Sequence, residues 1–147
     1  MIRYIHGDIF ESGASLLINP VNCVGVSGAG LALKFRQKYP ENFRSYRAWC
    51  DGGRSYPGTI YISKIQPDGK IIGNMTTKKH WREKSNILDI IAGLAALRAF
   101  FIVYPGVSCA LPKVGCGLGG LDWQEVRKAV DHLFDLPKFN INLEVYE

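Results

Sequence analysis

Residues 14–30 read ASLLINPVNCVGVSGAG, and residues 107–120 read VSCALPKVGCGLGG. Each stretch opens with an apolar run typical of a buried strand, continues into a glycine-rich loop, and is followed by residues with helical spacing. Such loops present backbone N–H groups, and the N-terminus of the next helix adds partial positive charge. In open α/β sheets, ligands bind beyond the carboxyl ends of the strands. Two such loops at one sheet edge therefore predict that a diphosphate is held from both sides.

Predicted strands and helices alternate along the rest of the chain. Strands are predicted at residues 2–6, 14–18, 59–65, 70–75, 107–111 and 141–145, and helices at residues 31–38, 40–49, 87–101 and 126–133. Ser85 is predicted to cap the third helix, and Asp122 the fourth. This order predicts one α/β domain over residues 1–147, with a mixed central sheet and helices on both faces.

The composition excludes several classes of protein. Hydrophobic residues make up 47% of the 147 residues and charged residues 21%, an ordinary globular mix. No apolar run approaches the ~20 residues of a membrane span, and the N-terminus lacks a secretory pattern, so we expect a cytoplasmic protein. The four cysteines form no CxxC pair, so we expect reduced thiols and no metal site. The net charge of +5 favours an anionic partner, such as a phosphate or a nucleic acid.

Neither glycine loop alone identifies its ligand. No Gly-Lys-Ser/Thr sequence ends either loop, which excludes a Walker A motif, and neither has the Rossmann spacing of glycines. Turns that need a positive φ remain the alternative reading of each loop taken separately.

The ordered set of motifs is more specific than any one of them. Residues 7–9 (GDI), 19–22 (NPVN) and 114–123 (VGCGLGGLDW) together resemble a macrodomain, an ADP-ribose-binding module with three α/β/α layers. Residues 74–82 (NMTTKKHWR) are similar to the Thr-Lys-(Lys/Arg)-His-Trp stretch of bacterial macrodomain antitoxins. Those enzymes are lysine-dependent glycohydrolases that remove ADP-ribose from DNA bases. The resemblance covers essentially the whole chain.

The resemblance implies a role for each matching residue. Asp8 would accept a hydrogen bond from the adenine amino group, and Ile9 would offer its backbone N–H. Asn22 would bind the distal ribose, and Lys78 would be the catalytic amine. The loop residues that would border the riboses and phosphates are Gly28, Ala29, Gly30, Gly115, Cys116, Gly117, Leu118 and Gly119.

A lysine nucleophile must be neutral to react. Its amine can then attack the anomeric carbon of the ribose and form a Schiff base that water resolves. We expect burial and a nearby cation, Lys79 or Arg82, to favour the neutral form. The candidate nucleic-acid contacts form one basic segment: Lys79, His80, Trp81 and Arg82.

Two departures from the family pattern bear on the substrate. Ala29 stands where many relatives carry lysine, and Gly119 stands where some lysine-dependent relatives carry an Asp that assists release from proteins. The missing Asp favours nucleic acid, DNA thymidine in particular, as the acceptor. Asp122 is interpreted first as a helix cap and second as a catalytic acid. Tyr146 is interpreted as a strand-end aromatic residue, with a cover for adenine as the alternative.

Three functions follow from the resemblance. The favoured one is an ADP-ribosyl glycohydrolase acting on nucleic acid through Lys78. The alternatives are an ADP-ribose 1″-phosphate phosphatase or O-acetyl-ADP-ribose deacetylase, and a non-catalytic reader of ADP-ribose. The expected partners are ADP-ribose or ADP-ribosylated DNA and a cognate ADP-ribosyltransferase toxin. The expected chain is a monomer that needs no cofactor.

Overall fold

A computed structural model describes residues 1–137 and 139–147. The strands are β1 (Ile2–Ile5), β2 (Leu16–Asn22), β3 (Ile60–Ile62), β4 (Ile71–Lys78), β5 (Ser108–Pro112) and β6 (Asn142–Tyr146). The helices are α1 (Gly30–Lys38), α2 (Pro40–Asp51), α3 (Ile87–Val103) and α4 (Trp123–Phe134), with a short 3₁₀ helix at Ile9–Glu11. The strands form one sheet in the order β1-β6-β5-β2-β4-β3, in which β3 is antiparallel to β4 and the other pairs are parallel. The predicted mixed sheet is confirmed.

Strand β2 shows how both faces of the sheet are covered. Leu16 and Ile18 point to one face and pack in the same cluster as Ile90 of α3, whereas Leu17 points to the other and packs with Phe35 of α1. All five side chains are fully buried, and each contributes about 1.5–3 kcal/mol by leaving water. The predicted α/β/α arrangement is therefore confirmed.

Strands β2 and β4 are longer than the sequence predicted. β2 continues from residue 18 to Asn22, and β4 continues from residue 75 to Lys78, because the two strands pair in parallel over their whole length. Asn, Pro and Lys are poor strand formers, so the sequence pattern ended the strands early. Asn22 and Lys78 consequently lie at strand ends rather than in loops.

The helix caps correct one prediction and confirm another. Ser85 does not cap α3, because the side chain of Asn86 accepts the backbone N–H of Leu88 at 2.8 Å. Asp122 caps α4, as predicted, by accepting the N–H of Gln124 at 3.1 Å.

Over residues 1–137 and 139–147, no helix is long and apolar enough to cross a membrane. The same residues contain no group of three or more His, Cys, Asp or Glu side chains that could hold a metal ion.

Candidate active site

A cleft of about 990 Å³ opens at the carboxyl edge of the sheet. Asn22, Lys78, Pro112 and Tyr146 end strands β2, β4, β5 and β6, and all four line the cleft. Parallel strands bring their carboxyl ends to one edge, which is where α/β proteins bind ligands. The volume lies at the upper end of the range for small-molecule and cofactor sites.

A β-bulge places Asn22 and Lys78 side by side at the ends of β2 and β4. Val21 of β2 pairs with Thr76 of β4, but the next residue, Asn22, pairs with Lys78, so Thr77 is an extra residue in β4. The Thr77 hydroxyl donates to the Val21 carbonyl at 3.2 Å and holds the bulge. Bulges of this kind re-aim side chains next to active sites.

Asn22 organises the first glycine loop, residues 23–29. Its Nδ2 donates to the Val26 carbonyl at 2.8 Å, and its Oδ1 accepts the N–H groups of Val24 and Val26 at 3.2 and 3.3 Å. The Tyr46 hydroxyl donates to the Asn22 carbonyl at 2.7 Å and fixes the strand end. Since an amide nitrogen carries two hydrogens, Asn22 can hold this loop and still donate to a ligand.

Lys78 is a half-buried lysine at the end of β4, where it pairs with Asn22 of β2. Its Nζ donates to the Trp81 carbonyl at 3.1 Å. Burial lowers the pKa of Lys78, and the carboxylate of Glu83 raises it to a smaller extent. The sequence predicted that burial and a nearby cation, Lys79 or Arg82, would lower this pKa. Burial does lower it, but neither cation contributes to the shift.

Asp8 and Tyr146 lie at another part of the cleft. Asp8 is exposed, and its Oδ1 accepts the Phe10 N–H at 2.9 Å, which starts the 3₁₀ helix. A Cβ built on Gly7 would lie 3.8 Å from Cε1 of Tyr146, so the Tyr146 ring packs beside the Gly7–Asp8 turn. Aromatic rings and one carboxylate in this arrangement suit a flat base with an amino group.

The second glycine loop, residues 113–120, closes the other side. Gly115 has φ +77°, and a Cβ there would lie 2.9 Å from the side chains of Ile90 and Leu121, so only glycine fits. The Leu121 N–H donates to the Gly115 carbonyl at 2.9 Å and closes the loop. Leu118 at the tip is 71% exposed and lines the cleft.

Comparison with known families identifies this arrangement. The family model described as Macro domain matches residues 18–130. The chain belongs to the Macro domain family.

One curated relative is the DNA ADP-ribosyl glycohydrolase of Mycobacterium tuberculosis, 41% identical over 91% of this chain and 39% of its own length. A solved structure, the macrodomain of Mycobacterium tuberculosis DarG, superposes with a TM-score of 0.92 at 38% identity over 99% of this chain and 97% of that one. This chain thus spans about two fifths of the curated relative.

A relative from Thermosipho africanus is named a DNA ADP-ribosyl transferase–DNA ADP-ribosyl glycohydrolase fusion protein. It is 29% identical over 99% of this chain and 41% of its own length. The structure of Thermosipho africanus DarTG in complex with ADP-ribose has a TM-score of 0.85 at 27% identity, over 98% of this chain and 41% of that one.

Most residues predicted for the macrodomain site line the cleft. They are Asp8, Ile9, Asn22, Gly28, Ala29, Gly30, Lys78, Trp81, Gly115, Gly117, Leu118 and Gly119. Cys116 does not line it. Its Sγ donates to the Val114 carbonyl at 3.4 Å, and burial raises the pKa of its thiol to about 11.

Only part of the basic segment, residues 79–82, lines the cleft. Trp81 lines the cleft and is 44% exposed, whereas Lys79, His80 and Arg82 lie outside the lining. The Arg82 guanidinium lies 4.5 Å from the centre of the Trp81 ring, and the His80 ring centre lies 5.1 Å from it. The three side chains form a stacked group beside Lys78.

Sequence reasoning missed several lining residues. Lys113 lies two residues after the predicted strand at 107–111, so the shared carboxyl edge was a usable signal for it. Tyr146, for which a cover for adenine was the alternative interpretation, also lines the cleft. Phe10 and Ser85 gave no such signal, because their place depends on the 3₁₀ helix and on the approach of two loops. Lys34 lies on α1, one turn after the first glycine loop.

The cleft is electropositive. Among the lining residues that the structure describes, Asp8 is the one carboxylate, while Lys34, Lys78 and Lys113 carry amines. Together with the N–H groups of two glycine loops, these amines suit an anionic ligand such as a diphosphate.

Proposed function

We propose that this macrodomain is an ADP-ribosyl glycohydrolase that removes ADP-ribose from nucleic acid, with DNA thymidine as the acceptor and Lys78 as the nucleophile. The observation that carries the proposal is the pairing of Asn22 with Lys78 across the bulge, in a cleft lined by two glycine loops. The activity for which the Mycobacterium tuberculosis relative is named, DNA ADP-ribosyl glycohydrolase, supports the same function.

The cleft accommodates ADP-ribose in one direction. Adenine would lie against Phe10 and Tyr146, with Asp8 accepting from its amino group. The diphosphate would lie between the two glycine loops. The distal ribose would then reach Asn22 and Lys78. The complex of the Thermosipho africanus structure with ADP-ribose supports binding of this ligand.

The chemistry needs only the amine and water. Neutral Lys78 Nζ attacks C1″ of the distal ribose, the bond between C1″ and the base nitrogen breaks, and the released base takes up a proton. The new amine adduct loses a proton, the ring oxygen leaves C1″ and is protonated, and a Schiff base forms. Water adds to the Schiff base and displaces the lysine, which gives ADP-ribose and restores the amine.

Burial supports the nucleophile role. A lysine in water is almost fully protonated at neutral pH, so its lone pair is unavailable. Lys78 loses part of its hydration on the cleft wall, which lowers its pKa and enlarges the neutral fraction. The Trp81 carbonyl, 3.1 Å from Nζ, holds the amine in one place.

The stacked group at the rim would recognise the nucleic acid. Trp81 is 44% exposed and would offer part of its ring surface for contact with a base, and Arg82 would offer a charge for a phosphate. Because Trp81 holds Lys78 through its backbone, base stacking and amine placement involve the same residue.

The remaining assignments are also proposals. The fusion of transferase and glycohydrolase in the Thermosipho africanus relative supports a cognate ADP-ribosyltransferase as partner. We also propose that residues 1–147 form one macrodomain that acts in the cytoplasm as a monomer and without a cofactor.

The test uses a single-stranded oligonucleotide that carries ADP-ribose on thymine. Wild-type protein should release free ADP-ribose, and Lys78→Ala should lose at least about 100-fold in rate, as expected when a covalent nucleophile is removed. Lys128→Ala, an exposed lysine of α4, is the matched control and should retain the rate.

Other outcomes point to other functions. Equal turnover by Lys78→Ala would contradict the lysine mechanism. Hydrolysis of ADP-ribose 1″-phosphate with no action on the oligonucleotide would favour the phosphatase. Tight binding of ADP-ribose without turnover of either substrate would favour a reader.

A further inference from the structure

Ser85 is a polar residue of the cleft wall to which the proposed mechanism gives no role. Only 8% of its surface is exposed, and its Oγ has no hydrogen-bond partner among the residues that the structure describes. A buried hydroxyl without a partner costs about 1–3 kcal/mol. Alanine would fill nearly the same space without that cost. A hydrogen bond to a bound ligand would explain why a hydroxyl is present here.

The position of Ser85 links the lysine segment to the second glycine loop. Its backbone N–H donates to the Gly119 carbonyl at 2.9 Å. A Cβ built on Gly119 would lie 2.4 Å from Ser85 Oγ and 2.5 Å from the Gly115 carbonyl oxygen. The hydroxyl therefore occupies the notch that glycine leaves at position 119. Lys78, Trp81 and Ser85 line the cleft from one short stretch of chain.

We propose that the Ser85 hydroxyl hydrogen-bonds a hydroxyl group of the distal ribose, the sugar whose C1″ Lys78 would attack. This inference rests on the proposed function. A change of χ1 rotamer, the one side-chain torsion that positions Oγ, would move the oxygen away from Gly119 to reach the sugar. Ser85 would hold the sugar from the side of the second glycine loop, while Asn22 holds it from the first.

The chemistry of the group favours the sugar over the phosphates. A serine hydroxyl both donates and accepts, which matches a ribose hydroxyl that also does both. Phosphate oxygens only accept, and the backbone N–H groups of two glycine loops already supply donors for them. The bond would fix C1″ relative to the amine of Lys78.

The test is calorimetric titration of wild type and Ser85→Ala with ADP-ribose and with ADP, which lacks the distal ribose. Loss of one neutral hydrogen bond should weaken ADP-ribose binding about three- to tenfold, and ADP binding should not change. The Tm of Ser85→Ala should equal or exceed that of wild type, because no internal hydrogen bond is lost. A purely structural serine would lower the Tm instead.

Ser45→Ala, an exposed serine of α2, is the matched control and should bind both ligands as wild type does. Unchanged ADP-ribose affinity in Ser85→Ala would overturn the inference, and so would an equal loss of affinity for ADP. Failure of wild type to bind ADP-ribose would instead contradict the proposed function, and this inference with it. The two failures are thus separate results of one experiment.

Discussion

Burial removes part of the Lys78 side chain from water, and the charged form of its amine loses more from this than the neutral form does. Glu83 opposes the effect, because its carboxylate stabilises the ammonium group. In the proposed mechanism the reactive species is the free amine. The balance between these two influences would therefore set the fraction of protein that is able to react at a given pH.

The pH dependence of single-turnover cleavage tests this balance. The rate should rise with pH and level off above the pKa of Lys78, with a midpoint below that of an exposed lysine. Glu83→Gln should shift the midpoint to lower pH, since it removes the carboxylate that raises the pKa. Glu125→Gln on α4 should leave the midpoint in place. A midpoint that does not move in Glu83→Gln would contradict this account.

Asn22 shows that a structural and a binding role are compatible in one side chain. Three hydrogen bonds to Val24 and Val26 use both lone-pair sites of its Oδ1 and one of its two N–H groups. The other N–H is free to donate to a ribose hydroxyl in the proposed complex. The same amide would therefore position both the first loop and the ligand.

At the scale of elements, variants of Asp122 can distinguish its role as a helix cap from a role as a catalytic acid. It caps α4 and lies outside the cleft lining. Asp122→Ala should lower the free energy of unfolding by about 1 kcal/mol, whereas Asp122→Asn should keep stability because Asn caps equally well. Both variants should cleave substrate at the wild-type rate, measured alongside chemical denaturation. A large rate loss in Asp122→Asn would show that the carboxylate acts as a catalytic acid.

The helices were predictable because their signals are local. Apolar spacing along residues 87–101, Pro40 at the start of α2 and Asp122 before α4 each depend on neighbours in sequence. The ends of β2 and β4 depend on pairing between residues more than 50 positions apart. The polar residues at these ends gave no strand pattern in the sequence. The bulge at Thr77 arises only from that pairing.

The residues of the candidate site likewise differ in whether the sequence alone could predict them. The glycine loops, Asn22 and Lys78 follow from motifs contiguous in sequence, and the structure places them at one edge. Ser85 was interpreted as a cap because its type and position suit one, but Asn86 takes that role. Its contact with Gly119 requires the second glycine loop to lie against the segment that contains Lys78 and Ser85. Such a contact between distant residues cannot be predicted from a local sequence pattern.

At the scale of the whole molecule, charge and cleft position act together. The net charge is +5, and the stacked group of His80, Trp81 and Arg82 lies at the rim beside the amine. A nucleic acid would thus meet positive charge before its modified base reaches Lys78. Free ADP-ribose needs only the cleft. The two ligands should therefore respond differently to salt and to the loss of a rim cation.

Salt dependence measures the rim contribution directly. The KM for the ADP-ribosylated oligonucleotide should rise with salt, because each phosphate contact releases counterions from the strand. Arg82→Ala should reduce the slope of log KM against log salt by about 0.7, the contribution of one phosphate on single-stranded DNA. Its affinity for free ADP-ribose should stay unchanged. Arg44→Ala, an exposed arginine of α2, should keep the wild-type slope. An unchanged slope in Arg82→Ala would place the nucleic acid elsewhere on the surface, because a cation that contacts no phosphate releases no counterion.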